Sequence, residues 1–172
     1  MTTDPKTGAA LVPCVGCGAL FPEQEGPVHR YMESSPGCWA AYGEVLAREY
    51  SDREFGTRHR LTVDAYAAQH PGRPSPQTVQ SVAVHLISLG LVLERGFDPR
   101  RATAAIKAAA SRKGSFRWLQ PPASLGEVTV ADVFRARDAA EHLAAVEAWA
   151  ASVWRAWSAH HDTVRGWADA LR

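Results

Sequence analysis

All three cysteines of this chain, Cys14, Cys17 and Cys38, lie in one N-terminal stretch that has no means of folding alone. Residues 13–35 are rich in Pro, Gly and Glu and show neither a helical nor a strand period, so something external must tie them down. An odd cysteine count argues against a secreted disulfide scaffold, which needs pairs. Cys14-Val-Gly-Cys17-Gly18 sets two thiolates across a tight turn, and its glycines let backbone amides bend toward the sulfurs as a zinc knuckle requires. Cys38 follows Ser35-Pro36-Gly37 in the first turn of a helix, where free N–H groups and the positive dipole end favour a thiolate.

Three thiolates are one ligand short of a tetrahedron. The position one turn beyond Cys38 is occupied by Ala41 and Tyr42, neither of which can serve. His29, between the knuckle and the helix, is the expected fourth ligand, giving a Cys3His Zn2+ site of Cys14, Cys17, His29 and Cys38. His70 is the alternative. A structural zinc holding residues 13–38 together is the favoured reading, ahead of free thiols, a redox CxxC and a catalytic zinc with an open position. Pro13-Cys-Val-Gly-Cys17 also reproduces half of the zinc nucleobase deaminase signature. The His-x-Glu half has no counterpart, so that chemistry lacks its proton shuttle.

Beyond Ser35 the pattern is helical. The expected fold class is all-α: a helical bundle with a small irregular N-terminal zinc-knuckle segment. Residues 1–12 read as a disordered lead-in and 13–172 as one helical domain, with 13–38 as the knuckle. Ser35-Pro36 and Ser75-Pro76 are N-caps followed by N1 proline, and Thr129 with Asp132 forms a capping-box variant. A short helix fits Thr62 to about His70, stopped by Pro71-Gly72, and another runs from Asp98-Pro99 to about Arg112. The latter is alanine-rich and is expected at the surface. A long last helix fits Asp138 to Leu171, with Ser158 and Gly166 as weak points. No strand alternation is visible.

Other side chains have bland readings. His70 can be explained by the helix dipole at a C-terminus, and His85 by hydrogen bonding inside an apolar helix. Tyr66, Gln69 and His70 could line a small polar pocket. The tryptophans of the last helix read mainly as core, with Trp154 and Trp167 left to mark a homodimer or partner face. Arg100, Arg101, Lys107, Arg112, Lys113 and Arg117 form a modest basic band, better explained as a solvated face. A formal charge of +1 disfavours a nucleic-acid partner. No signal peptide is legible, and the apolar stretch Val82–Leu93 is too short and polar for a span, so a cytoplasmic protein with no membrane partner is expected.

The sequence resembles a family of bacterial proteins known only as a domain of unknown function. The resemblance rests on Cys14-x-x-Cys17-Gly18, His29-x-Tyr31-Met-x-Ser-Ser35-Pro-Gly-Cys38-Trp39, Asp64-Ala-Tyr66-x-x-Gln69-His70-Pro71-Gly72 and Val84-His85-Leu86. It covers residues 13–125 well and the last helix loosely. It carries no activity, and implies that the Cys/His segment and the Tyr66-to-Pro71 segment belong to one unit. The expected function is a zinc-binding helical protein acting as a binding or regulatory module toward a protein or small molecule. The alternative is a small-molecule enzyme, with catalytic zinc or with a pocket around Tyr66, Gln69 and His70.

Overall fold

A computed structural model describes Thr3, residues 8–111 and residues 114–171, apart from the side chains of Pro99 and Arg100. Its first ordered feature is a hairpin, β1 (Leu11–Pro13) against β2 (Leu20–Pro22), antiparallel with Val12 opposite Phe21. Leu11 and Val12, expected in the lead-in, are therefore strand residues, and Thr3 bridges to Ala10 beyond them. Most of the remaining lead-in lies outside the described residues. Strands of three residues ending in proline are too short to show alternation, which explains why no strand was legible in the sequence.

Seven helices follow among the described residues: α1 (Pro36–Ser51), α2 (His59–Gln69), α3 (Pro76–Leu93), α4 (Pro99–Ser111), α5 (Val130–Phe134), α6 (Ala139–Ala156) and α7 (His161–Asp169). The protein is mostly helical, with the hairpin attached at the N-terminus of α1. The cap-and-proline starts are as expected. Ser35 accepts from the Cys38 amide, and Ser75 and Thr78 form a reciprocal capping box, as do Thr129 and Asp132.

α2 is the centre of the molecule. Leu61, Ala65, Tyr66, Ala67 and Ala68 are all buried, and the helix packs against α3 and α6. Such an enclosed helix must satisfy its polar groups internally. Gln69 does so by donating to the carbonyls of Leu125 and Val128 and accepting from the Trp149 indole at 2.8 Å. Asp64 receives both Arg60 and His85 (2.7 Å), together with a short bond from Ser88. His85 thus has the satisfied structural role expected of it.

α3 is the one helix among the described residues with the length and hydropathy to cross a membrane. It is core here, packed against α2, α4 and α7. α4 differs from expectation: Ala102 and Ala109 are wholly buried, because small side chains let this helix settle closely onto α3. The expected last helix breaks at Trp157, and a 3-10 turn over Ser158–His160 redirects the chain into α7. The break falls at the weak point Ser158, while Gly166 is passed without interruption.

The tryptophans are spent inside the chain. Trp149 and Trp157 are fully buried, and the Trp157 indole donates to the Ala68 carbonyl at 3.1 Å. Trp154, expected at the surface, is buried and stacks on His161 at 3.8 Å, while Trp167 meets Phe116 edge to face. Of the basic band, Arg112 and Lys113 lie outside the described residues. Arg101 sits over the Phe97 ring, and Arg117 donates to Thr163.

Candidate metal centre

The β1–β2 turn carries the first two thiols. The Cys14 amide donates to the Ala19 carbonyl at 2.8 Å, and the Gly18 amide donates back to the Cys14 carbonyl at 2.9 Å. Gly18 takes a φ of +74°, which a side-chain-bearing residue adopts only at a cost. Gly16 is required for a different reason. A Cβ there would lie 2.3 Å from the Glu33 carbonyl oxygen and 2.5 Å from the His70 ring. Gly16→Ala is expected to cost about 1–3 kcal/mol, because backbone and ring would have to move apart. Thermal unfolding and metal retention against a chelator would check this, and a variant matching the parent in both would refute the close approach.

Cys38 enters from the first turn of α1, which is docked on the hairpin: Gly37 lies against Phe21 and Pro22. The fourth donor comes from α2. His70 is the C-cap of that helix, and its backbone leaves the helical region at φ −126°, ψ 62°. Its Nδ1 donates to the Tyr66 carbonyl at 2.8 Å, which leaves the Nε2 lone pair free to face the sulfurs. Nε2 lies 3.6 Å from Cys14 Sγ and 3.4 Å from Cys38 Sγ, and the Cys17 and Cys38 sulfurs are 3.8 Å apart. All four donor atoms fall within 4.8 Å of one another, a grouping able to hold a metal ion. Cys14 and Cys38 are buried, His70 completely so, and Cys17 is half-buried.

His29, expected as fourth ligand, is not in this group. Its Nδ1 accepts from the amides of Tyr31 and Met32, and its ring packs on Tyr31 and Trp39. The local turn captures the nitrogen that would have had to reach the thiols. His70, the alternative expectation, is the histidine that the structure brings into the group. The link between the Cys/His segment and the Tyr66-to-Pro71 segment, implied by the family resemblance, is thus physically present.

The surroundings favour negative charge on the Cys14 sulfur. The Ser35 amide donates to Cys14 Sγ at 3.3 Å, and the Tyr66 hydroxyl lies 3.7 Å from Cys38 Sγ. Hydrogen bonds from Cys17 and Cys38 hold the Cys14 thiol far below its ordinary range. The bond to Cys14 in turn pushes Cys17 up to about 12. Cys38 is driven up by its bonds to Cys14 and Cys17. Cysteine ligates a metal as the thiolate, so metal binding at this cluster would release protons.

The polar pocket expected around Tyr66, Gln69 and His70 is not formed as a unit. Tyr66 stacks between Tyr42 and His70 at 3.8 and 4.1 Å and faces the sulfurs, whereas Gln69 is held by the 125–128 loop and Trp149. A further polar centre had no signal in the sequence. Buried Glu49 of α1 receives His142 of α6 at 3.0 Å, His59 at 2.6 Å and Thr62 at 2.5 Å. Glu49 and His142 could have been marked as polar residues on apolar helical stripes, but nothing local pairs them.

Fold and site together define a mainly helical protein with a largely buried Cys3His cluster compatible with a metal ion. The chain belongs to a family of unknown function (DUF5946), matched over residues 12–158. The match takes in the Cys3His cluster and α1 through α6, and ends inside the 3-10 turn before α7. No curated protein and no solved structure matches the chain.

Proposed function

We propose that this chain is a zinc protein whose Cys14, Cys17, Cys38 and His70 hold Zn2+ as a structural ion, and that it serves as a binding or regulatory module. The separations carry the reading. Zinc–sulfur bonds of about 2.3 Å and zinc–nitrogen bonds of about 2.0–2.1 Å make tetrahedral edges of about 3.8 Å between sulfurs and about 3.6 Å from sulfur to nitrogen. The edges here are 3.8 Å from Cys17 to Cys38 and 3.4–3.6 Å from His70 to its two sulfurs. A soft, three-thiolate donor set favours zinc over oxygen-preferring Mg2+ or Ca2+. Four protein donors fill the coordination shell, and enclosure of three of them keeps a reacting water out, which is the pattern of a structural site.

Metal analysis of protein purified without a His tag is expected to give one zinc per chain, and the same measurement on Cys38→Ser should give less than half of that. Less than half an equivalent in the parent protein would defeat the reading. X-ray absorption should show three sulfurs and one nitrogen. A persistent water oxygen in the shell would move the site to the catalytic class.

A further inference from the structure

On the outside of the metal-binding segment lies a cleft of about 520 Å³, bounded by residues 28–34, the knuckle residue Val15 and the 73–78 stretch that opens α3. Its volume is that of a small-molecule site. Its polar lining is unbalanced toward donors. Arg30 has no hydrogen-bond or ion-pair partner among the described residues. Arg73, 90% exposed, touches Glu33 through Nε alone, leaving its terminal nitrogens for another acceptor. Such an exposed pair has little to lose in exchanging partners.

His29 belongs to the same lining. An Nδ1 that accepts two backbone amides cannot hold the proton, so Nε2 carries it as a donor that nothing else among the described residues takes up. Glu33 is the sole carboxylate of the lining among the described residues, and it is already engaged by Arg73. Beside these donors stand two solvent-facing aliphatic side chains, Val15 at 76% and Val28 at 49% exposed, with Met32 next to them. A ligand satisfying all of these groups brings acceptor oxygens with negative charge and an apolar body.

We infer that this cleft binds a small organic anion, a carboxylate or phosphate group carried on an apolar frame. The guanidinium forks of Arg30 and Arg73 take the oxyanion, His29 Nε2–H supplies a directional donor, and the valines cover the frame. Because one wall is the metal-binding segment, the inference rests on the structural-metal reading for the rigidity of that wall.

The test titrates isotope-labelled full-length protein, with its zinc content measured on the same sample, and follows its amide NMR signals. Phenylacetate and phenyl phosphate are the two anionic probes, and benzyl alcohol is the uncharged control. Saturable shifts centred on Val15, Arg30 and Arg73 are expected from at least one anion, with a midpoint at about 1 mM or tighter. Response to one anion alone assigns the head group, and response to both assigns any acceptor-rich anion. Arg30→Ala combined with Arg73→Ala, both at exposed positions, should weaken binding at least about tenfold while the remaining spectrum is kept. No saturable response to either anion, an equal response to benzyl alcohol, or an unaffected double variant overturns the inference. A zinc-loaded chain without anion response removes the cleft alone. Anion binding by a zinc-poor chain removes the metal reading alone.

Discussion

His70→Ala is expected to lower bound zinc below half an equivalent per chain, while His29→Ala keeps a full equivalent. The two variants separate the histidine that is close in sequence from the one that is close in space. His70 presents Nε2 to two sulfurs at 3.4 and 3.6 Å, and its other nitrogen is already committed to the Tyr66 carbonyl. Alanine leaves three sulfurs with one open corner and removes the only nitrogen donor of the group. Structural zinc contributes roughly 10–16 kcal/mol of apparent binding free energy in small zinc-folded peptides at neutral pH. The helical body here has its own core of Trp149, Trp157, Leu86 and Ile87, so the loss should be local. Far-UV circular dichroism is expected to stay helical, while amides of residues 11–35 lose hydrogen-exchange protection. Full zinc in His70→Ala, or its loss in His29→Ala, would reject the assignment.

Glu49→Ala is expected to destabilise the protein by about 3–5 kcal/mol, the range for removing one partner from a buried charged network. His142 and Thr62 are also fully enclosed, and without the carboxylate their donors, with that of His59, would have no acceptor. Burial works to raise the carboxyl pKa, but bonds from His142, His59 and Thr62 outweigh it and bring it below the ordinary carboxylate range. A folded-state pKa below the unfolded value means that Glu49 stabilises fully above the unfolded pKa of about 4.3, and that its contribution fades as pH falls through the folded value. Urea unfolding of parent and Glu49→Gln between neutral pH and about pH 3 should show the parent losing more stability on acidification. Parallel acid profiles would mean that the carboxylate is not the charged hub of this seam.

The capped helix starts were legible because a cap acts within one turn, whereas α2, which has no side-chain cap, begins at His59 rather than at the expected Thr62. Ser35 reaches the Cys38 amide, Ser75 reaches Thr78 and Thr129 reaches Ala131, each across three residues or fewer. The weak point at Ser158 was legible as a poor helix position, although one continuous stripe from His142 to Leu171 concealed that the helix is interrupted there by a 3-10 turn before α7. Burial of Trp154 was not legible. Its ring lies over Gly90 of α3, where a Cβ would come within 2.9 Å, and only the crossing of α3 and α6 creates that slot. The hairpin escaped notice because its pairing spans three residues on each side of the knuckle.

The Cys3His cluster divides along the same line. That three thiolates would be gathered followed from local chemistry: a glycine-flanked CxxC turn and a cysteine in a capped first turn, inside a segment too polar and irregular to hold itself. Which histidine would join them depended on tertiary structure. His29 is drawn into its own turn by the Tyr31 and Met32 amides, whereas the end of α2 delivers His70, thirty-two residues from Cys38, to within 3.4 Å of its sulfur. Caps and periodicity are short-range forces and can be read along the chain. A fourth ligand, or the meeting of Glu49 with His142, is set by where helix axes cross, because the burial that drives those crossings acts on whole faces rather than on single residues.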